Sequence, residues 1–436
     1  MKQRSSRLIS IRLAAAAGAL AWGQSITTLA QDMSRVRATI CTLASPAMHG
    51  RGYVKKGEHL AATYLRKRFA ASGLQPLTPD YTQPFSLPIN TFPGRAFLQV
   101  DGKTLRPGYD FIADPASGPG TVTGSVMQLD TLIFGQGAAQ QHLLSTDLRQ
   151  QVLVLHQHDA ARLSKLPAAL QAHLLTAAAR VTLVPNKLTA SLASVQQAQP
   201  QVQVLAQSWP EQVSNIRLQL DAVLQSAYQT QNLVGSLPGR VQPDSFLVVT
   251  AHYDHLGMLG KHTYFPGAND NASGTAMLLE LAAHYARPEN RPAYSVIFIA
   301  FGAEEAGLVG SQYFVEHPLV PLDRIRFLLN LDLLGTGEEG ATVVNGRVYE
   351  QQYQLLNTLN TAGHYLPALA ARGRAANSDH YFFSEKGVPA FFLYTRGGPT
   401  AYHDVHDQAA PLPLTGFIGA FSLLCDFLNL LGANSQ

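Results

Sequence analysis

Four apolar runs in this chain, at residues 245–251, 295–301, 325–331 and 388–394, each lead into a side chain that can bind a metal ion. Runs of this kind suit strands buried on both faces, the habit of parallel sheets covered by helices. Between the first two runs, residues 274–285 repeat apolar side chains at helical spacing, with Met277, Leu278, Leu281 and Tyr285 on one face. Residues 308–315 and 378–386 also read as helical. The alternation predicts an α/β fold with a mixed, largely parallel sheet and helices on both faces.

In an open α/β sheet, ligands bind beyond the carboxyl ends of the strands. His252 and Asp254 follow the first run, Glu304 and Glu305 the second, and Asp332 ends the third. Tyr402 and His403 lie in the loop after the fourth. A further acid, Asp270, sits in a turn of small residues that feeds the helix at 274–285. Small residues let the backbone approach an ion closely, although Asp270, Asn271 and Ser273 are equally suited to capping that helix. Two histidines with carboxylates and no cysteine suit one or two divalent cations, with zinc the usual occupant.

His252 and Asp254 are two apart, so an extended chain points them to one side and His255 to the other. A carboxylate beside a ligating histidine can hold its ring. Adjacent acids such as Glu304 and Glu305 at a buried strand end are costly unless something positive joins them. One can ligate a metal while the other takes a proton from water. The array points to metal-assisted hydrolysis.

The ends of the chain bear on where it works. Net charge is +3, but Lys2, Arg4, Arg7 and Arg12 lie in the first 30 residues with no acid, leaving the remainder one charge negative. No basic stripe outside this leader favours nucleic acid. Basic residues, a short apolar run and Thr28-Leu29-Ala30 fit a signal peptide over residues 1–30. The run is too short to span a bilayer comfortably. The expectation is a secreted or periplasmic protein with no stable membrane anchor. Cys41 and Cys425 can pair in an oxidising compartment or remain free thiols.

Residues 34–74 read as helical with an internal turn, and residues 75–94, with five prolines, as a connecting segment. Residues 95–228 change texture, with short alternating runs between Gly-, Ser- and Gln-rich stretches. They read as a small β-rich domain inserted between 31–94 and 229–436. His142, His156, His158 and His173 there read as surface or strand histidines, with His156 and His158 on one strand face.

The segments Ala251-His252-Tyr253-Asp254-His255-Leu256-Gly257, Gly267-Ala268-Asn269-Asp270-Asn271, Ala303-Glu304-Glu305-Ala306-Gly307, Asn330-Leu331-Asp332 and Tyr402-His403 resemble the secreted two-zinc aminopeptidase family. That family also includes glutamate carboxypeptidases and, more distantly, glutaminyl cyclases. Met48-His49-Gly50-Arg51-Gly52 looks like its N-terminal motif, and 95–228 is placed like a protease-associated insert. The resemblance implies two zinc ions per chain, one on His252, Asp270 and Asp332 and the other on Asp270, Glu305 and His403. It implies Glu304 as general base, Asp254 as support for His252, Tyr402 steadying the oxyanion, and a cis peptide after Asp270. Asn269, where many relatives carry an aspartate, and Asp404 and His406 depart from the pattern.

The expected activity is removal of N-terminal residues from peptides with a free N-terminus. A carboxypeptidase or dipeptidase on the same fold, and a non-catalytic binding protein, are the alternatives.

Overall fold

The computed structural model describes residues 32–433. The expected signal peptide at 1–30 lies outside these residues. Among the described residues no helix is long and apolar enough to cross a membrane.

The chain opens with α1 (Met33–Leu43), capped by Asp32, whose carboxylate accepts the Ser34 and Arg35 amides. After an irregular turn comes α2 (Gly57–Ala71). A nine-stranded sheet follows from distant segments. Its strands are β1 (Gln75–Pro76), β2 (Thr82–Thr91), β3 (Val223–Leu237), β4 (Gln242–His252), β5 (Tyr294–Phe301), β6 (Ile325–Leu331), β7 (Ala341–Val344), β8 (Leu369–Ala371) and β9 (Ala390–Thr395). The order is β1-β3-β5-β4-β6-β9-β7-β8, with β2 also on β3. The centre, β5-β4-β6-β9, is parallel, while β3 and β7 join antiparallel.

The central runs carry no polar alternation because both faces are covered. Leu247, Val249, Val296 and Phe298 enter one core, which also takes residues of α1, α2, α3 (Gly274–Tyr285), α5 (Glu350–Gly363) and α7 (Phe417–Ala433). Val248, Ile297, Ile299 and Phe301 enter the other, beneath α4 (Val309–Glu316) and α6 (His380–Glu385). Each fully buried Phe or Leu contributes about 1.5–3 kcal/mol. Arg35 forks onto Glu280 at 2.7 and 2.5 Å, tying α1 to α3.

Residues 82–91 correct the expectation of a mere connector. They form an edge strand whose alternate residues Phe85, Leu87 and Ile89 are buried, while Pro84 and Pro88 face outward. Proline cannot donate to a ladder, but an edge strand tolerates it.

Residues 96–220 build a second, eight-stranded sheet. Four of its strands, Gly120–Gln128, Gln151–His156, Ala179–Val184 and Gln201–Leu205, run parallel, and helices Gly137–Ser145 and Ala168–Leu174 lie between them in sequence. The region is thus α/β in its own right. Its core takes in Leu256, Leu259, Phe265 and Val405, which lie outside the region, in segments that follow strands of the larger sheet. His156 ends its strand and His158 lies in the next helical turn, so the two do not share a strand face. Cys41 is exposed and Cys425 buried, and both are free thiols.

Candidate active site

The ends of β4, β5 and β6 deliver the expected side chains to one edge. His252 closes β4, with its carbonyl held by the Thr275 hydroxyl at 2.9 Å. Its Nε2 lies 3.4 Å from Asp270 Oδ1, 3.5 Å from Asp332 Oδ2 and 4.0 Å from Glu304 Oε2. The other oxygen of Asp270 lies 3.0 Å from His403 Nε2, which is also 3.0 Å from Glu305 Oε2. The Asp270–Asn271 peptide is cis.

This cluster is buried and rich in negative charge. Burial opposes a proton on His252, yet Glu304 and Asp332 raise its pKa well above the ordinary value. His403 is likewise raised against burial, to about 11, by Glu305 and Asp270. Burial works to raise Asp270, but His252 and His403 hold it well below the carboxylate range. Glu305 is drawn down to about 2 by His403 and His255 despite burial and Asp270. Glu304 goes the other way: burial, reinforced by Asp379 and Glu305, lifts it well above an ordinary glutamate. One acid of the adjacent pair is therefore held ionised while its neighbour retains a proton readily, as a general acid–base requires.

The donor set fits divalent cations. Asp332 Oδ1 is buried without a hydrogen bond, and so is Asp270 Oδ2, although His403 stands near it. Ligand atoms of His252, Glu304 and Asp332 lie within 4.8 Å of one another, as do those of His255, Asp270 and Glu305. Nitrogen and oxygen donors at this spacing, without thiolate, suit zinc.

His255 corrects the strand-alternation reading. Extended structure stops at His252, and the chain turns so that His255 Nδ1 lies 2.6 Å from Glu305 Oε1. Asp254 also does more than face its neighbour. Its Oδ1 is 3.7 Å from His252 Nδ1, whereas its two oxygens accept the Glu304 and Glu305 amides at 3.1 and 3.3 Å. Tyr402 is 43% exposed and stacks its ring on His403, centroids 3.9 Å apart. Although the residue is partly open to solvent, loss of water around its hydroxyl and then the carboxylates, Asp270 first, push its phenol up.

Three further groups escape a reading of the sequence. Asp407 is 2% exposed and accepts the amides of Asn269 and Asp270 at 2.8 and 3.0 Å. Asp379 has both oxygens buried without a hydrogen bond, and burial lifts it to about 7. Ala190, from the second sheet's region, places its carbonyl 3.0 Å from His403 Nδ1 and donates its amide to the His403 carbonyl at 2.9 Å. Nearby, Lys187 pairs with Asp404 at 2.9 Å, which gives one of the departures from the pattern a structural task. The only advance signal was position: Asp407 lies four residues beyond His403, and Asp379 precedes α6.

Residues 232–427 match the model of peptidase family M28. Aminopeptidase YwaD of Bacillus subtilis is 26% identical over 346 residues, covering 76% of this chain and 71% of that one. Leupeptin-inactivating enzyme 1 of Streptomyces exfoliatus is 32% identical over 167 residues, covering 38% of this chain and 35% of that one. Among solved structures, a zinc aminopeptidase from Bacillus subtilis superposes with a TM-score of 0.68 at 21% identity, covering 91% of this chain and 94% of that one. An aminopeptidase from Aneurinibacillus sp. strain AM-1 gives 0.60 at 17% identity, covering 91% and 93%. These two superpositions show a shared fold over nearly the whole chain.

Proposed function

We propose that this chain, whose residues 232–427 match the model of peptidase family M28, is a zinc-dependent exopeptidase that removes N-terminal residues from peptides. The observation that carries the proposal is the placement of Asp270, whose two oxygens face two different histidines. His252, Asp270 and Asp332 would hold one zinc ion, and Asp270, Glu305 and His403 the other. When bound, such a pair lowers the pKa of water and polarises a peptide carbonyl.

The chain's own groups supply the rest. Glu304, with its raised proton affinity, takes a proton from the attacking water and returns it to the leaving amine. Asp254 fixes the turn that carries Glu304 by accepting its amide. Tyr402, whose phenol carries its proton at neutral pH, donates toward the carbonyl oxygen as that oxygen gains charge. A free substrate amine can sit against an acid of the site, which favours cleavage at the N-terminal residue. The reading of residues 1–30 as a signal peptide supports work outside the cytoplasm, in the periplasm or beyond.

The test is hydrolysis of aminoacyl arylamides and of matched peptides with free and acetylated N-termini, with and without chelator. Chelator-sensitive cleavage of the free forms alone is expected. Cleavage of N-blocked peptides from the carboxyl end would replace aminopeptidase by carboxypeptidase, and chelator-insensitive turnover would overturn the zinc reading.

A further inference from the structure

Arg51 is a bulky, charged side chain that is fully buried and meets no carboxylate directly. Its Nε donates to the Tyr253 carbonyl at 2.8 Å. Nη1 donates to Leu43 and Pro266 at 3.0 and 2.8 Å, and Nη2 to Gly267 and Asp270 at 2.8 and 3.0 Å. A guanidinium has five N–H donors in a rigid fork, and here every one meets a main-chain carbonyl. Two of those carbonyls belong to the site itself: Tyr253 sits between His252 and Asp254, and the other is that of Asp270.

The surrounding backbone is locked to match. The Arg51 carbonyl accepts the His255 amide at 3.1 Å, and the Gly50 carbonyl accepts that of Gly257 at 3.0 Å. A Cβ on Gly52 would lie 2.4 Å from the Gly257 backbone. Arg51 itself is held at φ +50, a conformation that persists in a non-glycine residue only where its surroundings over-determine it.

We propose that Arg51 is a positioning residue of the metal site, its guanidinium fixing the distance between the His252 and Asp270 segments. The inference rests on the two-zinc reading given above. The acids that act most on its charge, Asp270, Asp407 and Asp254, help to offset what burial costs that charge.

Lysine keeps the charge but offers three donors, and glutamine removes the charge. Arg51→Lys and Arg51→Gln are therefore compared with the wild-type full chain by zinc competition against a chromophoric chelator, by the visible spectrum of the cobalt-loaded protein, and by kcat and KM. A core variant remote from the site, Leu65→Ala, controls for plain loss of stability. The expectation is a 10- to 100-fold loss of zinc affinity in both Arg51 variants, the size seen when an outer partner of a metal ligand is removed. An altered cobalt spectrum and a fall in kcat at near-constant KM should accompany it, with none of these in Leu65→Ala. Wild-type affinity and spectrum in Arg51→Lys and Arg51→Gln, with two zinc ions bound to the wild-type chain, would overturn the inference alone. A wild-type chain that binds no zinc would overturn the reading beneath it as well.

Discussion

Asp407 reaches back to Asp270 and accepts its main-chain amide at 3.0 Å. Its other oxygen takes the amide of Asn269. The loop that bears His403 therefore holds the turn that bears Asp270. Asp407→Asn leaves one oxygen for two buried amides. Such an orphaned donor costs about 1–3 kcal/mol, and zinc affinity should fall ~10- to 100-fold. Urea unfolding and zinc competition check both, and unchanged affinity would show that the turn holds itself.

Glu304→Gln removes the proton acceptor and keeps the shape. kcat should fall by about 10²–10⁴ while the zinc content stays at the wild-type level. Steady-state kinetics with metal analysis on the same sample decides it. Unchanged turnover would remove Glu304 from the chemistry.

The second sheet's region touches the site through Ala190, whose amide and carbonyl both meet His403. Ala190→Pro deletes the donor. Zinc affinity should weaken roughly 10-fold, with the circular dichroism of the fold unchanged. Wild-type affinity would make this region a passive neighbour of His403.

His380 is buried, and burial pulls its pKa down to about 4. An unfolded histidine takes its proton near 6.5. Between those values the unfolded chain is charged at this position and the native chain is not, so acid favours unfolding. The stability contributed by a neutral His380 is complete above about pH 6.5 and declines as pH falls, by roughly 3 kcal/mol at pH 4. His380→Phe should flatten that part of the slope when unfolding is followed from pH 7 to 4. Parallel wild-type and variant curves would refute the assignment.

The sheet and the gathering of His252, Asp270, Glu305, Asp332 and His403 at its edge are legible because both rest on strong local signals. Apolar runs such as 295–301 leave little choice but a buried strand, and strand ends gather whatever follows them. The misses share a different cause. Residues 82–91 were hidden by prolines that an edge strand accommodates. His255 was turned away by an alternation that ends at His252. Asp407 and Arg51 serve main-chain groups far off in sequence, and such partners leave no spacing to read.

In the proposed site Asp270 would serve two ions, one through each carboxylate oxygen. Elemental analysis of zinc per chain, after dialysis into metal-free buffer, tests it most directly in the wild type and in Asp270→Ala. Two zinc ions are expected in the wild type and fewer than one in the variant. A wild-type chain with one zinc or none, or an Asp270→Ala chain that keeps both, would contradict it.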